Sequence, residues 1–392
     1  MKKKIFGFIA IIFALGTIFF GRDIKEEFIN LYIQREFDKN SITLDFKENE
    51  NELMKGLKDD IENNEIFLVG EFHAVKKSME LNLEFLKFFV ENADVRYILF
   101  ESGYTTAQLL NEFLETGDYE ILEFIMSSLH GTFGYTEENY ELLSGIYEFN
   151  KTLPDDKKLS FVGVDIEHQP NIALRYINSL VPKEEVPKEI EEYFNLLGKT
   201  TMSNFLVNAK KISSGIEENK HIFEEYLGDN FFDFSFSINN LSISSPGMAL
   251  REKYIKNNFK VLYERLPKGK YFGQFGNMHV MKSGVMDESD PVTLANFLEN
   301  EYENTRGKVV TMLSALNNSY NMTPQNHNNG PINTLPEEFF PAGGETTLVK
   351  LNYENSPFKK YRFLVKDAPT TEYYDYFVLI SNSPACRRYE MK

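Results

Sequence analysis

The stretch Ile66-Phe67-Leu68-Val69-Gly70-Glu71-Phe72-His73 is a short apolar run that ends abruptly in a carboxylate and an imidazole. Runs of this kind are typical of a strand buried on both faces, and parallel sheets bind ligands at the carboxyl edge of their strands. Because side chains alternate along an extended segment, Glu71 and His73 are expected to point the same way, while Phe72 points into the packing. The stretch predicts a strand that delivers a site, or simply the polar start of a loop.

Further apolar runs along the chain also stop at polar side chains, and segments with helical periodicity separate them. Strands that alternate with helices predict an α/β fold with a central, mainly parallel sheet flanked by helices. The predicted strands are 97–100, 159–164, 270–275, 309–316, 347–351 and 376–380, and the predicted helices are 76–92, 104–116, 137–150, 247–266 and 291–303.

The chain divides into a main domain at about 65–385 and a preceding segment, 23–64. The preceding segment is charged and has apolar residues at helical spacing, which predicts a stalk followed by a docking helix. Residues 183–246 are polar and contain no convincing strand. This region is interpreted as an inserted helical cap layer that covers an edge of the sheet and bounds the substrate pocket.

The amino terminus resembles an export signal, because Met1-Lys2-Lys3-Lys4 precedes the uncharged apolar run 5–20. Residues 1–22 are therefore predicted to be a signal anchor or a signal peptide, and an uncleaved membrane-spanning helix is favoured. Three lysines on the amino side of the run place the remainder outside the cytoplasm. The prediction is a single-pass protein of the cell membrane, or a secreted one if the segment is cleaved.

Composition narrows the classes of partner. The chain has 392 residues, of which 42% are hydrophobic, enough for a sizeable core. It carries 42 basic and 59 acidic residues, and a net charge of −17 argues against nucleic acid as a partner. Cys386 is the single cysteine and stands six residues from the end, so neither an internal disulfide nor a thiol nucleophile is expected.

Several strand ends carry groups that could converge. Parallel strands share one carboxyl edge, so residues that are distant in sequence can meet there. The side chains at these ends are Glu71 and His73, Glu101, Asp165 and Glu167 with His168, and Asn277 and His279.

These residues occur in an order that resembles erythromycin esterase-like proteins over roughly 65–385. The matching motifs are Gly70-Glu71…His73, Phe100-Glu101, Gly163-Val164-Asp165, Arg251-Glu252 and Asn277-Met278-His279. The resemblance implies an α/β hydrolytic fold with a helical elaboration, related more distantly to ChaN-like haem-binding proteins and Tiki-type proteases. It also implies that His73 activates water, with Glu71, Glu101, Arg251 and His279 around it.

Two motifs depart from the macrolide esterases. The first motif is one residue shorter here, Gly-Glu-x-His instead of Gly-Glu-x-x-His, which is similar to ChaN and Tiki proteins. The later strand reads Gly276-Asn277-Met278-His279 and lacks the first histidine of His-Asn-x-His. The resemblance therefore implies the superfamily and leaves the substrate open.

The carboxylates and imidazoles at these strand ends, together with the Arg251 guanidinium, are suited to the attack of water on an acyl carbon. A neutral imidazole with a pKa near 6.5 can take a proton from water, and a neighbouring carboxylate can fix its tautomer. Arg251 or a protonated His279 could stabilise the oxyanion. No Gly-x-Ser-x-Gly motif occurs, so direct water attack on an ester, lactone or amide is favoured. Substrate contacts are assigned to Asp165, Glu167, His168 and Asn277.

Other interpretations stay open. The preferred hydrolase requires no cofactor, but His73, His279, Glu71 and Glu101 are also ligand types for divalent zinc, manganese or iron. A ChaN-like haem- or iron-binding surface protein is the alternative function, and a non-catalytic surface module is a third. Arg251 could instead pair with a buried carboxylate. His130, His221 and His327 are predicted to be solvated or surface residues.

Overall fold

The computed structural model describes residues 31–48, 50–243, 247–283, 292–323, 330–360 and 368–391. The predicted signal or anchor segment, residues 1–22, and the loop histidine His327 lie outside these ranges. Within them, no helix is both long and apolar enough to cross a membrane.

Eight strands form one sheet in the described part of the chain. From one edge to the other the order is β1-β7-β8-β6-β2-β5-β3-β4, and all neighbours from β8 to β4 are parallel. Only the β1–β7 and β7–β8 pairs are antiparallel. The strands are β1 (Ser41–Thr43), β2 (Ile66–Glu71), β3 (Val95–Gly103), β4 (Ser160–Asp165), β5 (Lys270–Gly276), β6 (Val309–Asn317), β7 (Thr347–Lys350) and β8 (Tyr376–Ser381).

Strand β2 lies in the middle of the sheet, between β5 and β6, and all six of its residues are buried. Helices on both faces explain its unbroken apolar sequence. Gly70 is required near its carboxyl end, because a Cβ there would lie 2.3 Å from Oδ1 of Asn277. The strand that opens the apolar pattern is therefore the centre of the fold.

Helices flank the sheet, which confirms the predicted mixed α/β class with a mostly parallel sheet. Residues 31–39 are also helical. The remaining helices of the described chain are Glu50–Asn63, Lys76–Ala93, Tyr104–Thr116, Tyr119–Ser128, Glu137–Thr152, Pro170–Ser179, Glu191–Gly198, Phe205–Glu218, Lys220–Leu227, Phe231–Leu241, Met248–Arg265 and the short Leu294–Asn296, which continues as a π-helical turn, Phe297–Glu301.

Two of these helices were not predicted, although each carries a start signal. Tyr119–Ser128 begins after Asp118, whose side chain accepts a hydrogen bond from the N–H of Glu120. Pro170–Ser179 begins with proline at its first position. The predicted helix at 291–303 is shorter than expected, because its described part spans only 294–301.

Four helices form a layer within the 183–246 region. Phe231–Leu241 attaches this layer through Asp233, whose two carboxylate oxygens accept hydrogen bonds of 2.7 Å from Tyr104 and Tyr176. Asn258 links the layer to the edge strand β4, because its side-chain amide donates to the carbonyl of Val164 and to Asn240. The layer therefore packs beside β4.

The segment before β2 packs on the same core. Leu53, Leu57 and Ile61 of the helix Glu50–Asn63 are all buried, and their spacing gives that helix one apolar face. Strand β1 extends the sheet by pairing with β7. Residues 41–63 thus contribute both an edge strand and a packed helix.

Candidate active site

His73 follows β2 and is joined to Glu71, as the alternation of strand side chains predicts. Its Nδ1 hydrogen-bonds to the Glu71 carboxylate, and no described residue bonds its Nε2. The His73 side chain is 44% exposed, whereas that of Glu71 is 10% exposed. The hydrogen bond to Glu71 raises the pKa of His73, against the opposing effect of burial. One nitrogen of the ring is therefore fixed while the other is free to act on a ligand.

His279 is held as a cation between two carboxylates. Its Nδ1 contacts Glu252, its Nε2 lies 3.1 Å from Oε1 of Glu101, and its side chain is only 3% exposed. Burial would lower its pKa, but these two carboxylates raise it to about 10. Both ring nitrogens therefore carry protons at neutral pH. The 3.5 Å approach of Arg251 Nη1 to Nε2 is for that reason a contact between like charges rather than a hydrogen bond.

Arg251 binds two carboxylates from different strands. Its Nε donates to Asp165 at 3.1 and 3.0 Å, and its Nη2 donates to Asp165 and, at 2.8 Å, to Glu101. Burial opposes the charge of Asp165, but bonds from His168 and Arg251 lower its pKa. Asp165 is fully buried. Arg251 therefore pairs with a buried carboxylate, which is the alternative role predicted for it.

Glu101 connects these groups. Its Oε1 is shared by Arg251 and His279, and its Oε2 accepts the N–H of Gly276 at 2.7 Å. Burial would raise its pKa, but the hydrogen bond from His279 and the charges of His279 and Arg251 lower it. Glu101 therefore stays ionised and orders its neighbours, with both oxygens engaged.

The two histidines lie on either side of Gly276, at the end of β5. A Cβ at this position would be 3.4 Å from Cε1 of His73 and 3.6 Å from Cδ2 of His279. Strands β2 and β5 are neighbours and pair Glu71 with Gly276. Parallel pairing thus brings together side chains that are about 200 positions apart in sequence.

A cavity of about 520 Å³ opens over this cluster, within the usual range for small-molecule sites. Its lining includes His73, Glu71, Glu101 and Arg251 of the cluster. The apolar lining residues are Ala74, Met79, Phe100, Leu129, Phe133 and Leu142, and further polar groups come from Asn82, Ser102, Thr132, Asn139, His168, Gln169 and Gln274.

The outer wall of the cavity is not formed by the region that was predicted to form it. The cavity was expected to be bounded by the helical layer at 183–246, yet none of its described lining residues comes from that region. The wall is formed by 129–142, the loop and helix that follow Tyr119–Ser128. The physical reason is that the inserted layer packs, through Asp233 and Asn240, against the helices that carry Tyr104, Tyr176 and Asn258, whereas the cavity lies at the carboxyl ends of the parallel strands.

Three predicted substrate contacts have other partners. Glu167 accepts bonds from the N–H and the hydroxyl of Thr105 at 2.9 and 2.7 Å, and burial raises its pKa to about 7. Asn277 donates to the carbonyl of Ser314, and Asp165 lies behind Arg251. None of the three lines the cavity. Of the four residues assigned to substrate contacts, only His168 lines the cavity, and its Nε2 lies 3.1 Å from Oδ2 of Asp165.

Two residues were missed by sequence reasoning. Glu252, fully buried, holds His279, and its place directly after Arg251 in a helix was the available signal. Phe133 packs against His73, with ring centroids 5.2 Å apart, and is 38% exposed. No pattern marks Phe133, because it lies in a loop. The lone Cys386 is buried, and burial, followed by Glu138 and Glu71, raises its pKa and keeps it a neutral thiol.

The contacts of the clustered side chains bear on whether they could hold a metal ion. In the described ranges, no group of three or more His, Cys, Asp and Glu residues is arranged to hold one. Both ring nitrogens of His279 are engaged by carboxylates, and both oxygens of Glu101 are engaged by donors.

Comparisons with known proteins support the fold. No protein-family model and no curated protein matches the sequence. A protein of Bacillus cereus superimposes with a TM-score of 0.66 at 17% identity, covering 92% of this chain and 99% of that one. A succinoglycan biosynthesis protein gives a TM-score of 0.67 at 16% identity over 92% and 98% of the two chains.

A mutant of the erythromycin esterase EreC, in its open conformation, superimposes with a TM-score of 0.59 at 16% identity. The match covers 89% of this chain and 96% of that one. A haem-binding ChaN of Campylobacter jejuni gives a TM-score of only 0.27 at 14% identity, too low to indicate a shared fold. At such identities a likeness defines the fold and not the chemistry. Over nearly its whole length, the chain has the erythromycin esterase-like fold.

Proposed function

We propose that this protein is a hydrolase that cleaves an ester, lactone or amide of a small molecule with water activated by His73. The observation that carries the proposal is the state of His73, with Nδ1 bound to a buried carboxylate and Nε2 unbonded within the described chain. The ring lines a cavity of suitable size beside Arg251. This arrangement is that of a general base with an orienting carboxylate.

The chemistry follows from these positions. Water hydrogen-bonded to Nε2 of His73 loses a proton to the ring as its oxygen attacks the carbonyl carbon. Glu71 stabilises the resulting imidazolium, and the ring then returns the proton to the leaving oxygen or nitrogen. Arg251 can stabilise the oxyanion through Nη1, because its Nε and Nη2 are committed to Asp165 and Glu101. No cofactor is needed for these steps.

The pH dependence of hydrolysis tests this assignment. Only neutral His73 can accept a proton, and its pKa is raised above 6.5. We therefore expect kcat/KM to rise with pH through an apparent pKa above 6.5. The measurement is a pH–rate profile on whichever member of an ester, lactone and amide panel is turned over. A rate independent of pH between about 5 and 9 would contradict a histidine base, and no turnover across the panel would contradict the hydrolase.

We further propose that residues 1–22 anchor the protein in the cell membrane, with the α/β domain at 65–385 outside the cytoplasm. The support is the lysine-flanked apolar run in the sequence. Alkaline phosphatase, which is active only after export, provides the measurement when fused after residue 391. We expect an active fusion, and an inactive one that is still expressed would place the domain in the cytoplasm.

A further inference from the structure

Residues 383–391, called the strap below, run from the end of β8 across the cavity's two walls. Three of its residues are buried, Ser383, Cys386 and Tyr389, at 3%, 4% and 1% exposure. Arg387 and Arg388, between the second and third of these, are exposed. Every third residue of the strap is therefore buried and anchors it, although the strap forms neither a strand of the sheet nor a helix.

Its first half holds the turn that carries His73. The N–H of Lys76 donates to the carbonyl of Pro384, and the N–H of Cys386 donates to the carbonyl of Ala74 at 2.9 Å. Ala74 directly follows His73 and adopts a left-handed backbone, with φ of 58°. Such a conformation is unfavourable for alanine and persists only where surrounding contacts impose it.

Its second half holds the opposite wall. The N–H of Glu137 donates to the carbonyl of Arg387, and the N–H of Tyr389 donates to the carbonyl of Tyr135. Buried Glu138 accepts bonds from the N–H and from Nε of Arg387 at 2.8 and 3.0 Å. These contacts lie within five residues of Phe133, the side chain that covers the ring of His73.

Tyr389 is the main anchor of that half. Its hydroxyl donates to Glu123 at 2.5 Å, and its ring stacks on Tyr140 with centroids 5.3 Å apart. Glu123 and Tyr140 belong to the two helices that flank the loop 129–136. Tyr389 therefore fixes both ends of the loop that presents Phe133.

We propose that the strap, through Tyr389 as a positioning residue, holds the loop 129–136 over His73 and thereby sets the affinity for substrate. This inference rests on the proposed function, because it assigns the role of a wall of the same cavity. The wall it positions carries the apolar side chains of Leu129, Phe133 and Leu142 beside the polar ones of Thr132 and Asn139. It fits substrates with an apolar group next to the bond that is cleaved.

The test compares Tyr389→Ala and the milder Tyr389→Phe with the wild type. Loss of the anchor leaves His73 and Arg251 in place, so KM should rise about tenfold for Tyr389→Ala while kcat stays within about twofold. Tyr389→Phe removes only the bond to Glu123 and should raise KM about threefold. Tyr353→Phe is the matched control, because Tyr353 makes a similar 2.6 Å bond to Glu36, among residues that do not line the cavity.

Hydrogen exchange gives a readout that does not require turnover. In Tyr389→Ala, amides of 129–136 should lose protection while those of β2 keep it. An unchanged KM, or an equal KM change in Tyr353→Phe, would overturn the proposal, and so would unchanged exchange at 129–136. If no substrate is hydrolysed, the proposed function fails, but the exchange result still decides whether the strap holds this loop.

Discussion

Replacing His73 by alanine should lower kcat/KM by about 10³, within the range expected for loss of a positioned general base. The reason is that Nε2 of His73 has no partner within the described chain and can accept a proton, whereas Glu101 and His279 are engaged and cannot replace it. Both oxygens of Glu101 accept hydrogen bonds, and both nitrogens of His279 are bound to carboxylates. The measurement is kcat/KM of the purified variant on the substrate found for the wild type.

The control for this experiment is His221→Ala. His221 is exposed in the helix Lys220–Leu227, which supplies no lining residue of the cavity, so its loss should leave the rate unchanged. His73→Ala also removes the hydrogen-bond partner of the nearly buried Glu71 carboxylate, so a lower melting temperature is expected, and the rate is measured well below the melting transition of the variant. Full activity in a folded His73→Ala variant would reject His73 as the base and, with it, the mechanism.

Replacing Arg251 by methionine should destabilise the fold by about 3 to 5 kcal/mol, as is typical when one partner of a buried ion pair is removed. Asp165 is fully buried and accepts its bonds from Arg251 at both oxygens. Without the guanidinium, Asp165 keeps His168 as a side-chain donor and loses its strongest partner. The free energy of unfolding by chemical denaturation is the measurement.

A double variant separates charge from packing. Arg251→Met with Asp165→Leu removes the buried carboxylate as well, so it should recover part of the lost stability. Arg175→Met is the surface control, because Arg175 is exposed and its guanidinium lies over the ring of Phe124. Its effect should stay within about 0.5 kcal/mol. A double variant that is less stable than Arg251→Met would show that the penalty does not come from the unpaired carboxylate.

Much of the fold could be predicted from the sequence. The apolar runs predicted the β2–β6 and β8 strands, because buried parallel strands are apolar on both faces. The convergence of Glu71, His73, Glu101 and His279 could also be predicted, since parallel strands end at a common edge. The role of each residue at that edge could not be predicted, because it depends on distances between side chains that the spacing of residues in the sequence does not specify. Asp165 and Glu167 are only two positions apart, yet one pairs with Arg251 and the other with Thr105.

The sequence by itself determined strands β2–β8 and the polar residues at their ends, since periodicity and strand ends are local properties of the chain. It predicted neither β1 nor the order of the strands in the sheet. The tertiary structure alone decided that His279 is a buried cation, that Arg251 is largely occupied, and that the cavity wall comes from 129–142 rather than from 183–246. Charge states depend on burial and on partners that are distant in sequence. A loop such as the one that carries Phe133 is placed by contacts with residues more than 200 positions away, in the strap.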